Sequence, residues 1–312
     1  MDVVYLGNGE YSADLLQRLL HAGFDINGVI TRPDRPAGRG RRMRPSAVKT
    51  VAQDIGLPVR QPPGPQDPAF ISVLEEVRPQ LLLVADYGHI LTPPILGFPQ
   101  HGCLNVHPSL LPRYRGAAPI RRALMDGVPV TGVTLMLLDE GMDTGPIIAQ
   151  DELEIDEDDN ALSLRVRLAS LGADIVREYV PPYVSGELSA RPQDEREATY
   201  ADPILKEELV IDWSRTARDI ANQIRALSPR PGAYAFLRRK RIKILRARAR
   251  EDVEVGGSGR LKVEADNALL AGTARGSLLV QEVQPEGKRG MSTDEFLRGY
   301  RLRNDDVFEN PA

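Results

Sequence analysis

The stretch VVYLGNGEYSADLLQRLLHAG, Val3 to Gly23, carries two periodicities in succession. Its first five residues are a short apolar run of strand type. The segment that follows sets Leu15, Leu16, Leu19 and Leu20 on one helical stripe and stops at Gly23. A strand feeding a helix is a βα unit, and the alternation continues outward from it. INGVIT (Ile26–Thr31) reads as a strand, PAFISVLEEVRP (Pro68–Pro79) as a helix closed by proline, LLLVA (Leu81–Ala85) and CLNVH (Cys103–His107) as strands, and APIRRALMDG (Ala118–Gly127) as a helix. Short strands alternating with helices predict an α/β fold built on a doubly wound, parallel sheet.

The next two strands, GVTLMLL (Gly132–Leu138) and PIIAQDELEI (Pro146–Ile155), flank an acidic turn, DEGMDTG. A long helix after Asp159 or Asn160 is expected to face inward with Leu162, Val166, Ala169, Ala173, Val176 and Val180. From about residue 181 the texture turns polar and rich in proline, which reads as a linker over 181–203. The boundary is set there: a domain over 1–203 and a second over 204–312. Beyond one helix, Ser214–Leu227, the second domain consists of five short strand-like runs on the spacing of a small β-barrel. In one of them the parity flips at the adjacent pair Ile244 and Leu245, predicting a bulge or bend, and a closing helix is expected to start at Ser292 or Thr293.

With 312 residues, 42% of them hydrophobic, the chain is large enough for two cores. A net charge of -4, from 40 basic and 44 acidic residues, gives no global pull toward nucleic acid or anionic lipid, so such a partner needs a local patch. No apolar run approaches the roughly 18 residues of a membrane span, and MDVVYLGNGE lacks the basic and apolar regions of a signal peptide, so a cytoplasmic protein without membrane partner is expected. The single cysteine, Cys103, excludes an internal disulfide and a multi-cysteine zinc site, and no metal is expected. Gly7-x-Gly9-x-x-Ser12 matches the start of a dinucleotide fingerprint only weakly. Ser12 replaces the third glycine and the second strand ends in Thr31-Arg32 rather than an acid, so the glycines are read as serving a tight turn.

Asn105 and His107 alternate on one strand, so both side chains leave the same face, with Cβ atoms roughly 6 to 7 Å apart. Pro108 ends the ladder, which puts His107 at the C-terminal strand end, where open α/β sheets hold ligands. Alone, the pair could be a buried histidine beside an edge asparagine. The acidic turn with Asp139, Glu140 and Asp143, expected at the same sheet end, weighs against that, because a carboxylate there can hold an imidazole in its protonated form. An amide donor, an imidazolium and a carboxylate, without an activated Ser, suit direct acyl transfer to an amine. Asn105 and His107 would stabilise the oxyanion, and Asp143 would help to remove the amine proton. Cys103 lies four residues from His107, roughly 13 Å along a strand, too far for a nucleophile pair, and is read as a buried structural thiol.

Two basic runs stand out. TRPDRPAGRGRRMRPS (Thr31–Ser46) has the texture of a loop and holds six arginines, Arg39, Arg41 and Arg42 among them, against one acid, Asp34. RRKRIKILRARAR (Arg238–Arg250) alternates like a strand and contains no acid. Both fit contacts to the backbone of one nucleic acid, with Arg239, Lys240 and Arg241 the candidates in the second.

NVHPSLLPRYRGAAPI together with DEGMDTGPI closely resembles the folate-dependent formyltransferases. The likeness extends over nearly the whole chain, through TRPDRPAGRG, ADYGHIL, VIDWS and VQPEGKRGMS. It implies a Rossmann-like catalytic domain and a C-terminal barrel of the OB type. It also implies 10-formyltetrahydrofolate as donor and Asn105, His107 and Asp143 as the catalytic trio. Ser109, Leu110, Leu111 and Pro112, with Tyr87 and Gly88 of ADYGHIL, match the folate-contacting segments. The resemblance also implies methionyl initiator tRNA as acceptor, its acceptor arm entered by the arginine loop with Arg39 foremost, and a monomer is expected. Pro108, where Gly is also common, and His89, where an apolar residue is usual, depart from the pattern. Three alternatives stay open on the residues themselves: formylation of a small amine, hydrolysis of the formyl folate, and a noncatalytic RNA-binding protein, which would leave Asn105, His107 and the acidic turn unexplained.

Overall fold

The apolar runs condense into strands and helices that a computed structural model describes for residues 1–37, 41–264, 267–303 and 306–309. In chain order they are β1 (Val3–Gly7), α1 (Glu10–His21), β2 (Gly28–Ile30), β3 (Arg35–Ala37), β4 (Arg42–Arg44), α2 (Ala47–Asp54), β5 (Val59–Arg60), α3 (Pro68–Val77), β6 (Leu81–Ala85), α4 (Pro93–Leu96), β7 (Cys103–His107), α5 (Pro119–Asp126), β8 (Val130–Leu137), β9 (Ile147–Glu154) and α6 (Ala161–Val184). After these come α7 (Ala217–Leu227), β10 (Ala233–Leu237), β11 (Lys240–Arg250), β12 (Leu261–Val263), β13 (Leu269–Gly272), β14 (Ser277–Pro285), β15 (Met291–Ser292), α8 (Thr293–Gly299) and β16 (Phe308–Glu309). Two compact units result. The first comprises Met1–Pro119, Val130–Glu154 and Arg165–Asp202, and the second Ile120–Pro129, Ile155–Leu164 and Pro203–Ala312.

The first unit is built on one sheet in the order β5-β2-β1-β6-β7-β8-β9. Its first five strands run parallel and give the Rossmann-like, doubly wound arrangement. β1, β6 and β7 are buried at every position, as continuous apolar runs in a covered parallel sheet are. The last two strands depart from the all-parallel expectation: β8 is antiparallel to β7, and β9 to β8. No helix lies between β8 and β9, and a short turn can join only antiparallel neighbours. α1 buries Leu15, Leu16 and Leu19. The glycines before it serve close approach rather than an unusual dihedral, since a Cβ on Gly7 would meet Ser12 Oγ at 1.8 Å and one on Gly9 would meet an Asp86 carboxylate oxygen at 1.7 Å.

Three expectations need correction here. α6 buries Ala161, Leu164, Leu168, Ala169, Ala173, Ile175, Val176 and Val180, so the stripe assigned from Ala169 onward holds, whereas Leu162 is exposed. A 4-3-4-3 pattern can be laid on either of two adjoining rows of a helix, and apolarity alone does not separate them. α6 also runs through Pro181 and Pro182, whose carbonyls still accept from Ser185 and Glu187. The segment after it is no free linker. Arg191 exchanges two backbone hydrogen bonds with Ile147, and Thr199 and Ala201 pair with Pro112 and Arg115. Backbone groups make this ladder, so polar composition does not reveal it. Finally, the arginine-rich segment read as a loop contains the β3–β4 hairpin and is followed by α2.

The second unit is a curled antiparallel sheet, β12-β13-β14-β11-β10-β16, with β15 on β14. Ile244 pairs with Val283 and Arg246 with Glu282, so Leu245 is the extra residue of the expected bulge. Ser292 caps α8 by accepting from Glu295 N. The core gathers Ile220, Ile224, Ile242, Ile244, Leu278, Val280 and Phe296. Trp213 and Phe308 close it, stacked at 5.4 Å. No helix among the described residues is long and apolar enough to cross a membrane.

Phe308→Ala should lower the stability of this unit by about 3–5 kcal/mol, the cost of emptying a filled aromatic site. Trp213, the only tryptophan in the sequence, reports the transition by fluorescence in a urea titration. A loss under about 1 kcal/mol would mean that β16 contributes nothing to the core.

Candidate active site

β7 ends at Pro108 with Asn105 and His107 only 8% and 4% exposed. Buried polar groups need partners, and both find one in Asp143. Asn105 Nδ2 donates to Asp143 Oδ1 across 3.4 Å, and His107 Nδ1 stands 3.7 Å from Oδ2. The other ring nitrogen, Nε2, lies 3.0 Å from the carbonyl of Tyr114. A carbonyl only accepts, so Nε2 carries a hydrogen and the Asp143 carboxylate faces Nδ1. The 3.7 Å from Nδ1 to the carboxylate is an ion-pair contact, too long for a hydrogen bond. An amide, an imidazole and a carboxylate thus meet in one buried place, the three groups that the spacing on β7 and the acidic turn single out.

The route by which Asp143 arrives differs from the expected one. In register, His107 faces Thr134 and Leu104 faces Leu137, so β8 runs back along β7 and the turn after it starts beside Cys103, where Leu138 N donates to Cys103 O at 2.8 Å. The turn is therefore not at the C-terminal end of β7, and it has to fold back to bring Asp143 to His107. Asp139 stabilises its start, accepting from Gly141 N at 3.0 Å and Thr144 Oγ1 at 2.7 Å. Gly145 lies so close that a Cβ there would meet Leu137 O at 1.9 Å. Asp143 itself is left-handed, with φ of 55°, a conformation that costs a residue with a side chain.

Two residues that the sequence reading does not single out hold this turn. Gln193 donates through Nε2 to Asp143 O at 2.8 Å and to Gly145 O at 2.7 Å. Its Oε1 accepts from Nε and Nη2 of Arg115, at 3.1 and 2.7 Å. Arg115 is fully buried and forms a bidentate pair with Glu195, both bonds 2.8 Å. Those bonds raise the arginine further and hold the Glu195 carboxyl below the usual range. Next to it, Gly116 N donates to Asp143 Oδ2 at 2.8 Å. Gly116 has φ of 116° and sits against Ala201 O, so no other residue fits there without strain. No local signal in the sequence marks Arg115 as buried, since a charged residue in the loop PRYRG reads as exposed.

Segment 108–112 is itself firmly tied. Ser109 Oγ donates to Arg113 O at 2.7 Å, Thr134 Oγ1 donates to Ser109 O at 2.6 Å and accepts from Leu111 N, and Gln150 Nε2 donates to Leu111 O. Ser109 and Leu111 are buried, Leu110 and Pro112 half-buried. Tyr87 is buried against Phe70 and has His89 at 5.4 Å, and burial pushes its hydroxyl up to about 12. Gly88 follows with φ of 79°.

Of the candidate arginines, Arg39 lies outside the described residues. Arg41 and Arg42 are exposed on the β3–β4 hairpin. Its one acid is committed at the base: Asp34 accepts from Gln61 and from Lys49, each at 2.9 Å, and these bonds hold its carboxyl below the ordinary value. In the second unit Arg239, at φ of 64°, and Lys240 are exposed at the β10–β11 turn, while Arg241 lies over the Tyr234 ring at 5.6 Å and 3.5 Å from Glu286. The acid-free look of the β11 run is only local. Asp158 pairs with Arg246 and Arg248 at 2.9 and 2.7 Å, Asp252 with Arg250 and Asp306 with Arg238.

A model of the Formyl transferase family matches residues 1–180, and one for the Formyl transferase C-terminal domain matches 203–301. The methionyl-tRNA formyltransferase of Syntrophus aciditrophicus is 42% identical over 302 residues, covering 97% of each chain. That of Syntrophomonas wolfei is 41% identical over 306 residues, 97% of this chain and 96% of the other. Among solved structures, HypX from Aquifex aeolicus in complex with tetrahydrofolic acid shares the fold with a TM-score of 0.66 at 17% identity, over 95% of this chain and 47% of that one. The sugar 3N-formyl transferase WlaRD matches with a TM-score of 0.64 at 20% identity, over 93% and 99%.

Cys103 stands apart from this chemistry. Its thiol is buried, points to Ile95 O at 3.7 Å, and burial pushes it up to about 12. A thiol raised so far stays protonated through neutral pH and is a poor nucleophile. Iodoacetamide at pH 8 should leave the native protein unlabelled and label it once denatured, and Cys103→Ser should keep full turnover. Rapid native labelling or loss of turnover in the folded variant would bring back a thiol mechanism.

Proposed function

This chain belongs to the methionyl-tRNA formyltransferase family, and we infer that it transfers the formyl group of 10-formyltetrahydrofolate to the α-amino group of methionyl initiator tRNA. The observation that carries this is the convergence of Asn105 and His107 on the Asp143 carboxylate at the end of β7. The amine attacks the formyl carbon directly. The Asn105 amide, with one N–H on Asp143 and one left over, donates to the oxyanion that develops, and the His107 ring, its Nε2–H turned to Tyr114 O and Nδ1 to Asp143, supports it through the positive charge it carries when protonated. Asp143 holds the His107 ring and takes the proton that the amine gives up, directly or through water; collapse of the tetrahedral species then breaks the bond between the formyl carbon and N10, and that proton passes to N10 as tetrahydrofolate leaves. No covalent enzyme intermediate is needed, in keeping with the raised, internally bonded Cys103 thiol. Segment Ser109–Pro112, with Tyr87 and Gly88, would shape the folate site. Its internal ties through Thr134 and Gln150 support a preformed wall. The N-terminal part, 1–203, carries the chemistry, and 204–312 is a tRNA-binding domain that shares the RNA contacts with the arginine segment of the first. Arg39, Arg41 and Arg42, with Arg239, Lys240 and Arg241, would contact the tRNA as a monomeric enzyme engages it in the cytoplasm.

Asn105→Ala and His107→Ala should each lower kcat by about 10² or more with the fold retained, the usual cost of lost oxyanion stabilisation. Asp143→Asn should lower kcat far more than it weakens formyl folate binding. These are read in a formylation assay that offers Met-tRNA and small amines side by side. Turnover within a few-fold of wild type would remove these residues from the chemistry, and preference for a small amine would reassign the acceptor.

The hairpin arginines separate those acceptors by another route. Arg41→Ala with Arg42→Ala should reduce kcat/KM for Met-tRNA and make its dependence on log salt shallower by about 0.7–0.9 for each phosphate that is no longer neutralised. Formyl folate binding should not move. An unchanged kcat/KM and slope would demote the hairpin to a solvated surface element.

A further inference from the structure

We propose that Gln193 is a positioning residue of the formyl transfer, acting through Asp143, with buried Arg115 as its support. The inference rests on the reading of Asp143 given above. The Gln193 amide has all its capacity in use, with both N–H groups on the carbonyls of Asp143 and Gly145 and the oxygen on two nitrogens of Arg115. Its orientation is thereby settled, since a flipped amide would set its oxygen against two carbonyls and its N–H groups against a guanidinium.

These bonds close a ring. From Asp143 O the path leads to Gln193, from Gln193 to the Arg115 guanidinium, along the chain to the Gly116 N–H, and back to Asp143 Oδ2. Asp143 is gripped at its backbone and at its carboxylate by groups that are themselves linked. A residue held at φ of 55° on a turn folded back from the far part of β7 needs such a grip, because a left-handed residue with a side chain persists only where its surroundings determine it. Glu195 completes the support by pairing with the guanidinium, which has no exposure to water of its own. The cradle presents two acceptors on one side and donors on the other, and a primary amide of glutamine length serves both.

The test is Gln193→Glu, which keeps the shape and the acceptor for Arg115 and sets an oxygen against the two carbonyls. Its partner is Gln193→Met, which drops all four bonds without adding a charge, so that failure of one variant to fold leaves the other. Each is combined with Asp143→Asn in a double-mutant cycle, with folding checked by thermal melting. Turnover is read as tetrahydrofolate release, which every acceptor shares. A wrong acceptor would then sink the assignment to Met-tRNA and leave the cycle measurable. We expect either single variant to lose roughly 10 to 10² fold in kcat, the scale of a displaced catalytic group, with KM for the formyl donor little changed. In the Asp143→Asn background the further loss should be under about threefold, because the group being positioned has already been disabled. Kinetics within a few-fold of wild type in a folded single variant would overturn the proposal. So would a full, additive loss in the double variant, a loss confined to KM, or an absence of tetrahydrofolate release by wild type with any acceptor.

Discussion

β8 runs against β7, and that reversal governs how the site is made. Were β8 parallel, the turn after it would emerge beside His107, and a carboxylate on it would need little guidance. Because Leu137 pairs with Leu104, the turn begins at the wrong end of β7 and must come back along the sheet. A returning turn has no ladder to follow, so its backbone groups need partners from elsewhere. Asp139 and Gln193 supply them, and Gly116 N fixes the Asp143 carboxylate. The left-handed dihedral of Asp143, the close approach at Gly145 and the buried guanidinium of Arg115 are consequences of the same reversal.

Much of the fold and the trio itself are legible in the sequence because they follow short-range rules. Alternation on CLNVH aims Asn105 and His107 the same way whatever the strand pairs with, and Pro108 marks the strand end from sequence alone. Parity at Ile244 and Leu245 discloses the bulge, and Ser292 is a recognisable cap. What stays hidden depends on pairing across long separations. Arg115 and Gln193 are 78 residues apart, and nothing local distinguishes a buried, bonded glutamine from a solvated one. The direction of β8 escapes the sequence because a buried apolar run has the same texture in either direction. The inward face of α6 is legible from Ala169 onward and misleading at Leu162, since neighbouring helical rows are both apolar near its start. Asp158, which neutralises part of the β11 run, lies 88 positions from Arg246, too far for composition to count the two together.

Charge placement separates two kinds of arginine that look alike in sequence. Arg115 is buried with a full set of partners, whereas Glu195 is largely exposed, so it is the loss of the carboxylate that would leave a charge buried and unmatched. Arg115 underpins the site, and its substitution by lysine would lose the fork that binds Gln193 and Glu195 at once. Arg246 and Arg248 are about half exposed, as is their shared Asp158. Exposed pairs of this kind contribute about 0–1 kcal/mol. A phosphate can therefore replace the carboxylate at little cost.

The same reasoning bears on the β3–β4 hairpin. A short two-stranded hairpin is marginal in water, and this one sets two arginines opposite each other on its ladder, Arg35 facing Arg44, with Arg42 on the same strand as Arg44. What steadies it lies at its base. Asp34 is drawn into bonds with Lys49 and Gln61, Gln61 also reaches Arg32 O, and Asn8 ties Thr31 and Arg32 to the end of β1. Committing the one acid of the segment to that anchor has a second effect, because it removes the only local counter-charge from the arginines beyond it. A polyanion that approached the hairpin would relieve the repulsion between its strands and meet no uncommitted carboxylate from the same segment, so the anchoring that shapes the element also leaves its positive charge available for binding.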